Sequence, residues 1–79
     1  MDYSKRSRKL TDLGSAESAR AVYITDARLA GRLIAMGILP GAELQVVRSS
    51  PLGDALYIKA DGLNMALRKE EAACILIEA

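Results

Sequence analysis

The stretch DARLAGRLIAMGILPG, from Asp26 to Gly41, constrains the fold of this chain more than any other part of it. Asp26 is a good N-cap, because its carboxylate can accept a hydrogen bond from a first-turn N–H. Three apolar residues then recur at the i, i+4 and i+7 spacing of a helix face, namely Leu29, Leu33 and Met36. The pattern predicts a helix over residues 27–36, with Arg28 and Arg32 on a different face that suits solvent.

The end of this helix is as clear in the sequence as its start. Gly37 supplies the left-handed residue that ends a helix at low cost, and Ile38 falls where a Schellman-type end packs it back on Leu33. Pro40-Gly41 fits the central positions of a type II turn, because Pro presets φ and Gly tolerates a positive φ. The sequence therefore predicts a helix, a glycine stop, a tight turn and then a strand.

Asp61-Gly62 is the strongest short hairpin signal in the chain, since it suits a type I′ turn whose twist matches that of the strands. A two-residue turn here joins strands over residues 55–60 and 63–68 and fixes their register. The inward pairs are then all apolar: Ala60 with Leu63, Ile58 with Met65, and Leu56 with Leu67. On the other face the predicted pairs are Tyr57 with Ala66 and Lys59 with Asn64. Turn chemistry and hydrophobic pattern agree, which favours this assignment.

The rest of the chain is interpreted as short strands and turns in one domain. The predicted elements are a helical turn at 10–13 with both leucines inward, strands at 19–25, 43–50 and 74–78, and a helical turn at 69–73. In the strand at 19–25, the side with Ala21, Tyr23 and Thr25 is opposite the side with Val22 and Ile24.

These elements predict a mainly β fold. Five short strands, one inserted helix and a short helical turn before the last strand favour a small, strongly bent sheet that forms a partly open barrel and so hides its edges. A chain of 79 residues has room for one domain. We expect that domain over residues 10–79, preceded by a disordered basic tail over residues 1–9.

The charge is unevenly placed, which argues against a nucleic-acid-binding body. Lys5, Arg6, Arg8 and Lys9 fall in the first nine residues, whereas from Leu10 onward seven Lys and Arg residues stand against nine Asp and Glu. The folded part therefore lacks the basic excess that is typical of a nucleic-acid binder.

The chain lacks the groups that most enzymes and metal sites need. It has no His, which excludes a His-based general base or metal ligand. Its one cysteine, Cys74, lies in an apolar run and is expected to be buried and inert. Glu70-Glu71 is the only adjacent acidic pair, and neighbours on a helical turn do not share a face. We therefore predict no enzyme activity, no metal site and no cofactor.

The same sequence predicts a small cytoplasmic protein. No apolar run approaches the roughly 20 residues that a membrane span needs, so no direct membrane insertion is expected. No signal-peptide pattern follows the basic tip. A single cysteine suits a reducing compartment.

Four residues are candidates for contact with a protein partner: Leu39, Leu52, Arg32 and Tyr57. Leu39 leads the Pro-Gly turn and Leu52 lies beside Pro51 at a loop tip, where rigid backbone exposes an apolar side chain at low ordering cost. Tyr57 is expected on the outer face of its strand, and Arg32 on the helix face away from the core. The alternative for each is an ordinary surface residue, since single exposed apolar side chains are common. Three tyrosines alone do not favour an aromatic groove for proline-rich peptides.

Several blocks of the sequence resemble one known family. The run at 32–41, RLIAMGILPG, looks like the RL-x-x-MG-(I/L)-x-PG signature of the FeoA family, and three further blocks follow in that family's order and spacing. They are VVR at 46–48, PLGD at 51–54 and LRKEEA at 67–72. The resemblance covers roughly residues 10–78. It departs at Ala16 and Ala55, which stand where the family usually has Gly and Pro.

The resemblance implies both a fold and a function. It implies an SH3-like β-barrel, related to the C-terminal domain of diphtheria-toxin-repressor-type metalloregulators. It also implies a small cytosolic accessory protein of ferrous iron uptake, acting as a protein-interaction module on the cytosolic part of a FeoB-like membrane transporter. The alternative is a metal-responsive regulatory domain that acts on a separate DNA-binding repressor. Iron involvement comes from the resemblance alone, since the residues show no iron site.

Overall fold

The computed structural model describes residues 8–78, which form one antiparallel sheet with two helices. The strands are β1 (Arg8–Lys9), β2 (Ser18–Ile24), β3 (Glu43–Ser49), β4 (Ala55–Ala60), β5 (Leu63–Arg68) and β6 (Ile75–Ile77). The helices are α1 (Ala27–Ala35), α2 (Lys69–Ala72) and a 3-10 turn at Leu10–Asp12. The strand order is β1-β6-β2-β3-β4-β5, so β1 and β5 are the edges and the sheet is not closed into a barrel.

The core is built from buried residues of the strands together with the helices and the turn at 10–13. Its fully buried large side chains are Leu10, Leu33, Leu44, Val46, Ile58, Leu67, Ile75 and Ile77. Leu10 and Leu13 both point inward from the 3-10 turn, as the sequence predicted. Among residues 8–78 no polar or charged residue is buried. The fold therefore keeps its chemistry on the surface.

Helix α1 has the N-cap and the Schellman-type end that the sequence predicted, although it stops one residue earlier, at Ala35. The Asp26 carboxylate accepts a hydrogen bond from the Leu29 N–H at 2.9 Å. At the other end the Ile38 N–H donates to the Leu33 carbonyl and the Gly37 N–H to the Ile34 carbonyl, which is the bond pair of a Schellman end.

The apolar stripe of α1 differs from the prediction at its last member. Met36 is 45% exposed, whereas Ile38 is 2% exposed. The helix stops at Ala35, and the left-handed residue Gly37 turns the chain so that Ile38 enters the core in place of Met36.

The β4–β5 hairpin has the register that the sequence predicted, but Leu63, expected on the inward face, is 58% exposed beside the turn. All five predicted cross-strand pairs are present, and Ala55 also pairs with Arg68. Asp61 and Gly62 both have positive φ, at 47° and 88°, as a type I′ turn requires.

Two predictions about the N-terminal part are wrong in detail. Strand β2 buries Ala21 and Ile24 and exposes Tyr23, because a bulge between Ala21 and Tyr23 breaks the alternation. The predicted tail reached Lys9, but Arg8 and Lys9 pair with β6 as a sixth strand. The remainder of that predicted tail, residues 1–7, lies outside the described residues.

Candidate partner-binding surfaces

Two turns at opposite ends of β3 carry the two candidate leucines. We call residues 39–42 the first tip and residues 50–54 the second tip. Leu39 in the first tip is 52% exposed, and Leu52 in the second tip is 89% exposed. The structure therefore exposes both leucines, but it does not bring them together, since the length of β3 separates the two tips.

The first tip is tied to a distant part of the chain. The Ala42 N–H donates to the Leu39 carbonyl at 2.9 Å, and Gly41 has a φ of 93°, as expected for a type II turn. The Gly41 N–H donates to the Ala21 carbonyl at 2.6 Å, and the Ala21 N–H donates to the Ala42 carbonyl at 2.9 Å. The Arg20 guanidinium adds a bond to the Gly41 carbonyl at 3.1 Å. Strand β2 thus fixes this turn.

The second tip is held mainly by its own residues. The Gly53 N–H donates to the Ser50 carbonyl at 2.9 Å. The Ser50 hydroxyl donates to the Asp54 carboxylate at 2.6 Å and accepts from the Ala55 N–H at 3.1 Å. Beyond the loop, the Asp54 carbonyl accepts from the Lys69 N–H at 3.0 Å. The Ala55 N–H, which proline would lack at this position, is thus used to close the tip.

Tyr57 is half-buried on the outer face of β4, the face that points away from the core. The Arg48 guanidinium lies over its ring, with Cζ 4.6 Å from the ring centroid. Such cation–π contacts hold the guanidinium flat while leaving its in-plane N–H donors free. The sequence predicted the face of Tyr57 but not its partner, because the bulge between Val46 and Arg48 sets that register.

Arg32 forms an ion pair with Glu71. Its guanidinium donates to the Glu71 carboxylate at 2.7 Å, with the Arg32 side chain 64% and the Glu71 side chain 18% exposed. This ion pair joins α1 to α2 across 39 residues of sequence. No sequence pattern signals a pair so far apart, and prediction from the helix face alone gave only its exposure.

Glu71 also completes a cap. Its other carboxylate oxygen accepts from the Arg68 N–H at 2.9 Å. This backbone hydrogen bond, together with the Arg32 guanidinium, lowers the pKa of the Glu71 carboxyl against the opposing effect of burial. The carboxylate form of Glu71 is therefore tied to the folded state.

A cleft of about 430 Å³ lies beside this ion pair, between α1 and α2. Its walls carry Arg28 and Arg32 together with Asp26, Glu71 and the thiol of Cys74. Cys74 is half-buried rather than buried as predicted, because it lines this open cleft, where its Sγ donates to the Glu70 carbonyl at 3.4 Å. Asp26 is used as the helix cap and Glu71 is paired with Arg32, so two of the carboxylates that line the cleft already have partners.

Residues 8–78 lack two other features that would bear on function. Within that range no three His, Cys, Asp or Glu side chains come together in a group able to hold a metal ion. No helix in the same part of the chain is long and apolar enough to cross a membrane.

The sequence of this chain is similar to those of known proteins. The profile of the FeoA domain family matches residues 8–79. A Porphyromonas gingivalis protein described as an Fe(2+) transport protein A/Fe(2+) transporter FeoB fusion protein is 38% identical over 47 residues. That match spans 60% of this chain and 6% of the length of the relative.

Solved structures share the fold. A FeoA protein from Chlorobium tepidum is 29% identical with a TM-score of 0.85, covering 90% of this chain and 69% of that one. FeoA from Stenotrophomonas maltophilia complexed with zinc, described as an SH3 domain protein, is 26% identical with a TM-score of 0.77, covering 90% and 89%. A manganese-dependent transcriptional repressor matches at 17% identity with a TM-score of 0.83, covering 92% of this chain and 36% of the repressor, which shows a common fold alone.

Proposed function

This chain belongs to the FeoA domain family, and we propose that it is an accessory protein of ferrous iron uptake that binds the cytosolic part of a FeoB-like membrane transporter. One observation carries the proposal: the related Porphyromonas gingivalis protein is described as joining Fe(2+) transport protein A to the Fe(2+) transporter FeoB in one chain. A covalent link keeps two units at a high effective concentration. Where the units are on separate chains, a binding surface has to serve the same purpose.

The second tip is the part of the chain best suited to begin that contact. Leu52 is the most exposed large apolar side chain among residues 8–78, at 89% exposure. Burial of a fully exposed leucine contributes about 1.5–3 kcal/mol, and a tip closed by its own hydrogen bonds loses little freedom on binding. Leu52 is therefore the proposed anchor.

The other three candidates contribute less. Leu39 already has about half of its surface covered, so it has less area left to bury. Tyr57 offers a ring edge beside the Arg48 stack. Arg32 offers the N–H groups that Glu71 does not use, and a charge of this kind affects the rate of encounter more than affinity.

Binding rather than catalysis is the proposed activity, and the cytoplasm the proposed location. Nothing in the cleft pairs a nucleophile with a base: Cys74 faces a backbone carbonyl, and Glu71 faces Arg32. The regulatory alternative has less support, because the likeness to the manganese-dependent repressor extends only to the fold.

The proposal is tested by measuring binding of the purified chain to the cytosolic domain of the FeoB-like transporter of the same organism. We expect Leu52→Ser to weaken binding at least about tenfold, the equivalent of 1.4 kcal/mol, and Leu39→Ser to weaken it less. The melting temperature of the Leu52→Ser protein should stay at the wild-type value. Ile34→Ser is the matched control, because Ile34 is 50% exposed on α1 and is not a proposed contact.

Three results would contradict the proposal. Failure of the wild-type chain to bind the transporter domain would contradict the proposed function. Equal binding by wild type and Leu52→Ser would remove the second tip as the anchor. Capture of a separate winged-helix repressor in place of the transporter would favour the regulatory alternative.

A further inference from the structure

Strand β5 is an edge of the sheet that remains open for pairing. It has β4 as its neighbour on one side and no strand of residues 8–78 on the other. It has six residues, an ordinary strand length, and Leu63, Asn64 and Ala66 are exposed along it. An edge of this kind presents a row of backbone donors and acceptors to any extended chain that approaches it.

The hydrogen-bond pattern identifies which backbone groups are available. In an antiparallel pair, bonded and non-bonded residue pairs alternate. The two-residue turn makes Ala60–Leu63 a bonded pair, so Lys59–Asn64 and Tyr57–Ala66 are non-bonded pairs. Bonds at both ends of β4 agree with this phase: the Asp61 N–H donates to the Glu43 carbonyl at 3.2 Å, and the Lys69 N–H donates to the Asp54 carbonyl at 3.0 Å.

It follows that the N–H and C=O groups of Asn64 and Ala66 point away from β4. Those of Arg68 have the same phase, and there the N–H already donates to the Glu71 carboxylate. Two residues therefore offer two donors and two acceptors at the free edge, the number that one short added strand uses over the same length.

The outer-face side chains beside Asn64 and Ala66 are basic, while the Glu71 carboxylate occupies the Arg68 end of the edge. The outer face of β3, β4 and β5 carries three cations, Arg48, Lys59 and Arg68, whereas the three strands together contain one carboxylate, Glu43 at the start of β3. Register puts Arg48 beside Tyr57, Tyr57 beside Ala66, and Lys59 beside Asn64. This local charge contrasts with the acidic excess of the folded part as a whole.

The side chains on the outer face of β5 are also short. Ala66 and Asn64 are short side chains, so they leave Tyr57 and Lys59 of β4 accessible from the edge. A strand added to β5 lies about 4.8 Å from it and so about 10 Å from β4. A glutamate on the added strand and the long side chain of Lys59 together span that distance.

We propose that the β5 edge binds an extended acidic segment of a partner protein by strand addition, with carboxylates at alternate positions meeting Lys59, Arg68 and Arg48. Backbone pairing to Asn64 and Ala66 supplies the register, and the cations select acidic over basic segments. The stacked guanidinium of Arg48 keeps in-plane donors free for a carboxylate. The inference goes beyond transporter binding, because it concerns neither Leu39 nor Leu52 and rests on the β4–β5 hairpin together with Arg48 of β3.

A protein segment fits this site better than a single-stranded nucleic acid does. Nucleic acid needs stacking platforms for successive bases, and Tyr57 is the one aromatic side chain in β3, β4 and β5, with its face covered by Arg48. A free row of peptide donors and acceptors matches another peptide backbone.

The test uses the whole chain and an end-blocked peptide of about eight residues that alternates valine and glutamate, the length of a typical edge pairing. Titration followed by amide NMR should perturb Asn64, Met65 and Ala66 most and should slow hydrogen exchange at the Asn64 and Ala66 amides. The same peptide with lysine in place of glutamate should bind at least about tenfold more weakly. Added salt should reduce the difference.

Two variants separate the charge from the backbone. Lys59→Glu should weaken the glutamate peptide at least about tenfold, while Arg28→Glu changes the net charge equally and should leave binding unchanged. Ala66→Pro removes an outward N–H without removing a bond to β4, and it should abolish binding. If Ala66→Pro does not fold, slowed exchange at the Asn64 and Ala66 amides of the wild-type chain decides the same point.

The inference is overturned if the glutamate peptide does not bind, if it binds no better than the lysine peptide, or if its perturbations fall outside β4 and β5. Tighter binding of oligodeoxythymidine at the same residues would replace it with a nucleic-acid surface. Transporter binding that survives Lys59→Glu but not Leu52→Ser leaves the proposed function in place, so the two proposals fail separately.

Discussion

The first and second tips look alike in sequence and differ in how the fold holds them. Each places a leucine beside a proline and has a glycine with positive φ close by, 93° at Gly41 and 74° at Gly53. The first tip is bonded to β2, whereas the bonds of the second tip are with its own neighbours until Asp54. Similar turn chemistry thus produces one tip that belongs to the core framework and one that projects from it.

This difference bears directly on function. Substitution of a residue that is bonded to distant parts of the chain lowers the stability of the fold. A residue on a loop closed by its own hydrogen bonds can be substituted with little loss of stability. The second tip can therefore carry a binding residue that is free to vary with the partner. Substitutions at three places test this difference between the first and second tips.

The largest expected effect is at the two glycines. A Cβ at either position meets no atom within 4 Å, so the cost of Gly41→Val and of Gly53→Val comes from positive φ and not from collision. The first tip cannot relax without losing its bonds to β2, so Gly41→Val should cost about 2 kcal/mol or more, and Gly53→Val about 1 kcal/mol or less.

Urea unfolding of both variants measures the two costs. Equal losses would show that the bonds to β2 do not restrain the first tip and would break the contrast between the tips.

A smaller effect is expected at Ser50, whose hydroxyl closes the second tip. Ser50→Ala removes the bond to Asp54 and leaves the Ala55 N–H without its acceptor, which should cost about 1 kcal/mol. Ser50→Thr keeps the hydroxyl and should restore the stability. The loss should also weaken transporter binding through Leu52, because a looser tip loses more freedom on binding. Unfolding and binding measured on the same samples give both numbers, and an unchanged affinity for Ser50→Ala would show that the rigidity of the tip is irrelevant.

The smallest effect concerns Glu71 of α2, which pairs with Arg32 on α1, the helix that leads into the first tip. The pKa of Glu71 is lowered in the folded state, chiefly by the Arg68 N–H and then by Arg32. The stability that this carboxylate contributes is therefore fully present above its unfolded pKa of about 4.3 and is lost as the pH falls through the lower, folded value. Wild type should be slightly more stable than Glu71→Gln at pH 7, and the gap should close in acid.

Urea midpoints of the two proteins across acid pH check this. Transporter binding through Leu52 at neutral pH should be equal in both, because the Glu71 carboxylate bonds to Arg32 and Arg68 rather than to the second tip. A gap that widens in acid would reverse the sign of the effect.

Sequence was sufficient wherever a local signal determined the structure. The Asp26 cap, the Gly37 end and the Asp61-Gly62 turn each rest on residues a few positions apart, and all were predicted. Sequence was insufficient where pairing with a distant segment of the chain determines the local structure. The bulge at Ala21–Tyr23 exists because β2 pairs with β6, and the strand Arg8–Lys9 exists only through the same β6.

The candidate site divides in the same way. Exposure of Leu39 and Leu52 followed from turn chemistry, but the bonds that distinguish the two tips reach residues 20 and 21, which no local pattern links to the Pro-Gly turn. The Arg32–Glu71 pair and the half-exposure of Cys74 depend on how α2 packs against α1. The open edge of β5 followed from strand order, which the sequence left undetermined.

The position of β6 between β1 and β2 sets an order of events during folding. Strands β3, β4 and β5 are successive hairpins, so they pair across short loops and pay little closure entropy. Strand β2 meets β6 only after more than fifty intervening residues have been placed, as in the pairing of Ala21 with Ile77. The three-strand meander is therefore a natural nucleus, and the N-terminal half has to wait for Ile75–Ile77 before its own sheet is complete. On a ribosome, where β2 can pair with β3 as soon as β3 emerges, β1 has no partner strand until β6 has been made.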